Sequence, residues 1–190
     1  MERINLSTTA AESRTLREQI KAHSGVDVKD CYQCGKCTAG CPVAFAMDYT
    51  PRQVIRLVQL GLKDEALKCH SIWLCACCET CYARCPRQVD LAKLMEALRI
   101  EAKGMGYIPE KNVDLFNDLF LKSVEKNGRV HEMGLILQYN LQSRQFLKDA
   151  TLAPKLFTDG KIHIAAEKIA DNGAVKRIFD KVRNMGEEVK

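Results

Sequence analysis

Residues 31–42 read CYQCGKCTAGCP, and residues 75–86 read CACCETCYARCP. Both stretches place four cysteines at the same spacing, C-x2-C-x2-C-x3-C, and a proline follows the last cysteine in each. This run is typical of proteins that bind two [4Fe-4S] clusters, in which the fourth cysteine of one run binds the cluster of the other. The internal repeat therefore predicts two [4Fe-4S] clusters.

The spacing also predicts which cysteines share a cluster. Three cysteines at three-residue intervals can surround one cubane, whereas the fourth leaves past a turn and reaches the neighbouring cubane. The first cluster is then bound by Cys31, Cys34, Cys37 and Cys85. The second cluster is bound by Cys75, Cys78, Cys81 and Cys41. Such cross-ligation requires the two clusters to lie close together.

Zinc binding explains the cysteine spacing less well than iron-sulfur clusters do. Tetrahedral zinc sites prefer paired C-x2-C halves, whereas here four cysteines stand in a single run, twice. Cys69 and Cys77 fall outside the repeat, and we expect both to act as small hydrophobic residues. Replacement of a damaged ligand is the alternative role for Cys77. No nucleotide-binding loop or nucleophile motif accompanies the cysteines, so we predict no catalytic residue.

Composition limits the compartment and the partners. No apolar segment resembles a secretory signal, so clustered thiols indicate a reducing, cytoplasmic location. No apolar run approaches the roughly 18 residues of a membrane span. The formal charge of +5 falls to about +1 when two clusters, each about −2 with its thiolates, are counted. Since no Lys/Arg run stands out either, nucleic acid is not an expected partner.

Helix signals dominate the rest of the chain and predict a mainly α fold. Thr9 and Glu12 form a candidate capping box, and Thr50 with Gln53 forms a second one ahead of Pro51. Asp90 is placed to cap a helix that ends near residue 104. We divide the chain into an N-terminal helical segment (1–28), a two-cluster domain (29–106) and a C-terminal helical extension for partner docking (107–190).

The two cysteine runs, separated by a long helical insert, resemble the alpha-helical ferredoxin fold. A closer resemblance is to the C subunit of heterodisulfide reductase. It covers most of the chain and rests on the N-terminal helix, on residues 31–42, on the segment from Trp73 to Pro86, and on two later segments, Asn127–Val130 and Leu152–Leu156.

The resemblance implies a non-catalytic electron relay in an oxidoreductase complex. The partners would be a flavin- and iron-sulfur-containing A subunit and a disulfide-reducing B subunit with CCG domains, with a hydrogenase or formate dehydrogenase in a larger complex. In methanogens the disulfide joins coenzyme M and coenzyme B. The alternative is the iron-sulfur subunit of a quinone-linked dehydrogenase of the glycerol-phosphate, glycolate or succinate/fumarate type. The tail after Ile162 is where lineage-specific contacts are expected.

Overall fold

The structure is a computed structural model that describes residues 6–146, 155, 158 and 168–188. The helices in chain order are α1 (Leu6–Ser24), α2 (Lys36–Ala39), α3 (Pro51–Leu60), α4 (Lys63–Lys68), α5 (Ser71–Leu74), α6 (Thr80–Ala83), α7 (Leu91–Gly104), α8 (Lys111–Asn127), α9 (Glu132–Gln142) and α10 (Asn172–Glu188). Short 3-10 turns occupy Val28–Asp30 and Ala44–Ala46. No strand occurs within these described ranges, so the predicted mainly α class is confirmed.

The chain divides into two compact units, Met1–Glu110 and Lys111–Lys190. In the first unit, α1 and α4 both pack against α3 and α7, and α5 packs against α7. The core between these helices consists of aliphatic side chains that are 1% exposed or less: Leu16, Ile20, Val54, Val58, Leu67, Ile72, Leu94 and Leu98. Each such side chain contributes about 1.5–3 kcal/mol on burial, so this core provides the frame that holds the cysteine runs.

Helices α3 and α7, which come after the first and the second cysteine run, begin where the sequence predicts. The backbone N–H of Thr50 donates to Oε1 of Gln53 at 2.8 Å, which completes the capping box ahead of Pro51. Asp90 Oδ1 accepts the N–H of Lys93 at 3.1 Å and caps α7. The prediction for Thr9 is wrong, because α1 already begins at Leu6 and Thr9 lies inside it.

Asp48, in the segment after the first cysteine run, forms hydrogen bonds with the start of α5, the helix before the second run. Its carboxylate accepts the backbone N–H groups of His70 and Ser71, each at 2.9 Å, and also the hydroxyl of Ser71. The Ser71 hydroxyl is fully buried and reaches the carbonyl of Tyr49 at 2.6 Å. A buried hydroxyl needs such partners, so this contact fixes the position of α5 and of the cysteine that follows it.

The second unit contains α8, α9 and α10, and α8 contacts each of the other two. The rings of Phe116 and Tyr139 meet edge to face, with centroids 5.8 Å apart, and join α8 to α9. Arg183 pairs with Glu125 and joins α10 to α8. The chain leaves α8 at Gly128, whose φ of +79° is a conformation that glycine adopts without strain.

Some sequence predictions are not decided by this structure. The boundaries near residues 28 and 106 stay predictions, although α1 belongs to the same compact unit as the cysteine runs. The segment 152–156, apart from Lys155, and the tail between residues 162 and 167 lie outside the described residues. Within the described part of the chain, no helix is long and apolar enough to cross a membrane.

Candidate metal centre

The structure brings the first predicted set of cysteines together around one hollow. Its wall contains Cys31, Cys34, Cys37 and Cys85, and Cys81 also reaches it. Three of these come from the first run, and Cys85 is the last cysteine of the second run. The remaining wall is partly apolar, with Ile55, Val89 and Leu91, and partly charged, with Lys36 and Arg52.

The second predicted set of cysteines lines another hollow. Its wall contains Cys41, Cys75, Cys78 and Cys81. Here Cys41, the last cysteine of the first run, crosses to the three cysteines of the second run. Most other side chains in this wall are apolar, including Val43, Met47, Leu91, Ala92 and Met95. The first and second hollows hold about 340 and 380 Å³ of space not filled by protein, including the part open to solvent.

The two hollows adjoin. Cys81 and Leu91 belong to the walls of both, so a single layer of side chains separates them. Two redox groups placed in these hollows would therefore be neighbours. This adjacency is what the crosswise sharing of Cys41 and Cys85 requires.

The backbone follows the same course in both cysteine runs. In each run the residues on either side of the second cysteine are left-handed: Gln33 and Gly35 in the first, with φ of +64° and +83°, and Cys77 and Glu79 in the second, with φ of +49° and +58°. A positive φ is costly for residues other than glycine. Three non-glycine residues in this conformation indicate that the course of the chain around the hollow overrides local preference.

The two runs also pack directly against each other through α2 and α6. Gly40, at the end of α2, lies where a Cβ atom would come within 2.7 Å of Cδ and 2.8 Å of Nε of Arg84. Arg84 is the residue that corresponds to Gly40 in the second run. The absence of a side chain at Gly40 leaves space for the Arg84 side chain. The two runs therefore pack together because their residues differ at this equivalent position.

Equivalent cysteines have similar electrostatic surroundings in the two halves. The backbone N–H of Lys36 lowers the pKa of the exposed Cys34 thiol, and the hydroxyl of Thr80, at 3.4 Å, lowers the pKa of the exposed Cys78 thiol. Burial raises the pKa of Cys37, and it raises the pKa of Cys81 to about 11. Burial also raises the pKa of Cys75 in the second hollow. Cysteine binds metal as the thiolate, so each hollow combines one readily ionised thiol with buried thiols that ionise less readily.

Cys69 and Cys77 take no part in either wall, as far as the described residues define them. Cys69 is 3% exposed, its thiol lies 3.3 Å from the carbonyl of Ala66, and burial raises its pKa. Cys77 is exposed, and its sulfur lies 3.9 Å from the carbonyl of Cys75. Cys69 thus occupies the core position expected of a small hydrophobic residue, whereas this expectation is wrong for Cys77, whose side chain lies at the surface.

A basic cleft that sequence reasoning missed lies beside the first hollow. Its wall contains Cys31 and the exposed ring of Tyr32, and four cationic side chains surround them: Arg17, Lys29, Arg52 and Arg56. Among the residues that the structure describes, no acidic side chain lines the cleft. These cations come from α1, α3 and the turn before Cys31, and for that reason no basic run in the sequence reveals them.

Comparison with known proteins identifies the family of this region. Residues 27–89 match the family model described as a 4Fe-4S dicluster domain. The chain carries a 4Fe-4S dicluster domain. The matched residues include all eight cysteines of the repeat and stop just before α7.

Relatives of the dicluster domain occur in archaea. The chain is 40% identical over 91 residues to the C subunit of the H2:CoB-CoM heterodisulfide, ferredoxin reductase of Methanothermobacter thermautotrophicus, which covers 48% of this chain and 49% of that protein. It is 47% identical over 108 residues to an iron-sulfur C subunit of the CoB–CoM heterodisulfide reductase of Methanocaldococcus jannaschii, covering 56% and 58%. It is also 34% identical over 102 residues to a protein of Archaeoglobus profundus described as like the C subunit of heterodisulfide reductase, covering 50% and 54%.

These matches confirm the resemblance to heterodisulfide reductase C subunits. The chain spans about half the length of the curated relatives it matches. The donor set of the dicluster domain fits iron-sulfur cofactors, because cysteine thiolates are the usual ligands of [4Fe-4S] clusters. Five cysteines line the first hollow and four line the second, with Cys81 in both walls.

Proposed function

We propose that this chain is the electron-transfer subunit of a heterodisulfide-reductase-like complex. The eight cysteines of the repeat would hold two [4Fe-4S] clusters, and the chain would thereby connect a flavin-containing A subunit with a disulfide-reducing B subunit for electron transfer. Chemical conversion of the disulfide takes place on the B subunit, and this chain itself contributes no catalytic residue. Such a complex works in the cytoplasm of an anaerobic organism, as in methanogenesis.

The observation that supports this proposal most strongly is the pair of adjoining hollows. One contains Cys31, Cys34, Cys37 and Cys85, and the other contains Cys75, Cys78, Cys81 and Cys41. Each set would bind one cluster. A cluster bound in this way supplies a site that accepts and releases single electrons.

The protein residues hold and insulate these sites. The largely apolar wall of the second hollow, which includes Met47 and Met95, would limit access of water to the buried side of a bound cluster. With four thiolates per hollow, every corner iron of a cubane would have a protein ligand. Full ligation suits electron transfer, because no position stays open for a substrate.

Partner binding would use the second unit. Helices α8, α9 and α10 expose large apolar side chains, among them Leu121, Leu137, Ile178 and Val182, which are 50–63% exposed. Side chains of this kind commonly form the centre of protein–protein interfaces. We assign the A and B subunits as the partners, with a hydrogenase or formate dehydrogenase as a further component.

The proposal is tested by anaerobic purification of the tagged chain from its native host. We expect about eight irons per chain and co-purification of a flavoprotein and a protein with CCG domains, identified by mass spectrometry and flavin absorbance. Recovery of the iron-loaded chain without either partner would contradict the complex. Co-fractionation with membranes together with quinone reduction would instead favour a quinone-linked dehydrogenase.

A further inference from the structure

The helices α3 and α7 are equivalent in their relation to the two cysteine runs. α3 begins after its cap Thr50, and α7 begins after its cap Asp90. Counted from the first residue of each helix, the ninth residue is Gln59 in α3 and Arg99 in α7. Thus the same position carries a neutral amide in one half and a cationic guanidinium in the other.

Each residue donates hydrogen bonds to two backbone carbonyls of its own half, and the acceptors occupy corresponding positions in the two halves. Gln59 Nε2 donates to the carbonyls of Val28, at 2.8 Å, and Cys31, at 2.9 Å. Arg99 Nε donates to the carbonyl of Ile72 at 2.9 Å, and its Nη2 donates to the carbonyl of Cys75 at 3.0 Å. In each half the acceptors are the first cysteine of the run and the residue three positions before it.

These contacts anchor the point at which each cysteine run starts. Val28 and Ile72 are 1% and 0% exposed, so their carbonyls have little access to water and need a protein donor. The hydrogen bonds are matched in number and length across the two halves. These anchoring bonds therefore do not distinguish Gln59 from Arg99, and the two side chains themselves differ by one positive charge. In the first half the cations lie around Gln59 instead, since Arg56 Nη1 donates to Oε1 of Gln59 at 3.3 Å.

The charge of Arg99 acts on the second hollow. Arg99 is partly buried, and within the described residues it forms no ion pair that would neutralise it. The Arg99 guanidinium donates to the carbonyl of Cys75, whose side chain lines the second hollow. A cation held at this point favours the more negative, reduced state of a group bound in the hollow.

We propose that Arg99 is a positioning residue that anchors Cys75 and raises the reduction potential of the cluster in the second hollow. Gln59 anchors Cys31 in the same way but adds no charge. This inference rests on the proposed assignment of cysteines to two clusters. The cation of the second half is thus the anchoring residue itself, whereas in the first half the cations surround a neutral anchor.

Other charges also lie near the hollows. Lys36 and Arg52 line the first, and Glu79 lines the second, and all three are exposed. The basic cleft beside Cys31 adds the exposed Lys29 and Arg56 and the partly buried Arg17. Exposed charges are screened by water and salt, whereas partly buried guanidinium groups such as Arg99 are screened less. A substitution at residue 99 isolates the contribution of Arg99 from these surroundings.

The test is an anaerobic redox titration of the full-length, iron-loaded chain followed by EPR. In Arg99→Gln, which copies the other half of the repeat, we expect the oxidised-to-reduced ratio of one cluster at a fixed potential to rise about tenfold, a shift of about 59 mV for one electron. Arg99→Lys retains most of the wild-type potential because it keeps the charge. Gln59→Arg raises the potential of the other cluster.

The Cys41→Ala background identifies the affected cluster. Once the cluster of the second hollow is lost, Arg99→Gln no longer shifts the signal that remains. Unchanged potentials in both Arg99→Gln and Gln59→Arg, at full iron content, would overturn the inference while leaving the two-cluster proposal intact. If Arg99→Gln loses iron, the decision rests on Arg99→Lys and Gln59→Arg, and a tenfold shift in Arg99→Lys would contradict the role of charge. Wild-type protein without clusters would instead refute the proposed function.

Discussion

Cross-ligation is best tested by removing cysteines in pairs. In the proposed arrangement, Cys41 shares a hollow with Cys78, although the two belong to different runs. Cys41 and Cys34 belong to the same run but line different hollows. The double variants Cys41→Ala/Cys78→Ala and Cys41→Ala/Cys34→Ala therefore have opposite expected outcomes under cross-ligation and under ligation within each run.

The magnitude follows from four cysteines per hollow. Two cubanes give about eight irons per chain, and each damaged cluster puts about four of them at risk. Cys41→Ala/Cys78→Ala damages one cluster twice, so one intact cluster with about four irons remains. Cys41→Ala/Cys34→Ala damages both clusters and leaves none intact.

The assay combines iron and sulfide analysis with EPR of the reduced protein. Wild-type protein shows the broadened signal of two interacting clusters, because the hollows adjoin. Cys41→Ala/Cys78→Ala shows the simple signal of one cluster, at about one spin per chain. Cys77→Ala serves as the matched control, since this exposed cysteine lines neither hollow, and it keeps the full iron content.

The reverse pattern would refute the crosswise assignment. If each run binds its own cluster, Cys41→Ala/Cys34→Ala keeps about four irons and the single-cluster signal. Cys41→Ala/Cys78→Ala then loses both clusters. Circular dichroism of each variant separates the loss of a ligand from the loss of the helical fold.

Three further predictions concern stability and charge. Asp48→Ala lowers the free energy of unfolding by about 2–3 kcal/mol in anaerobic guanidinium titrations, whereas Asp64→Ala, at an exposed salt bridge, costs less than about 0.5 kcal/mol. Burial raises the pKa of Asp48, but its hydrogen bonds outweigh this effect and hold the pKa below the usual 3.8. The contribution of the Asp48 carboxylate to stability is therefore complete above about pH 4 and is lost as the pH falls through the folded-state pKa. This pH dependence is absent in Asp48→Asn. Cys69→Ala keeps the iron content and costs about 1–2 kcal/mol, since it leaves a small cavity in the core; loss of iron would show that the thiol binds a cluster. Lys29→Glu/Arg56→Glu slows stopped-flow reduction by anionic dithionite severalfold at low salt but not by cationic methyl viologen, and equal effects on both donors would exclude steering by the basic cleft.

Local signals in the sequence predicted the helix starts that depend on local chemistry. The capping box at Thr50 and the cap at Asp90 need only residues within one helical turn, and the structure confirms both. The same type of signal at Thr9 was misleading, because α1 starts at Leu6. Helix α1 buries Leu16 and Ile20 against α3 and α7, and most helical stability comes from such packing rather than from a cap.

The contacts that distinguish the two halves of the molecule could not be predicted in this way. Gln59 and Arg99 look like ordinary helix residues until folding places them 2.8–3.0 Å from carbonyls 24 to 31 positions earlier in the chain. Packing between distant elements also places Arg84 against Gly40, and it brings Arg17 close to Arg52 and Arg56.

The sequence by itself determined the mainly α class, the number of candidate ligands and the expected type of cofactor, because the spacing of cysteines in a run is a local property of the chain. The same spacing also predicted that Cys41 and Cys85 pair with the opposite runs. Only the tertiary structure decided that the two hollows share Cys81, and that a cation anchors one run and an amide the other. These features depend on distances between residues far apart in the chain, which are set by how α3 and α7 pack in the core.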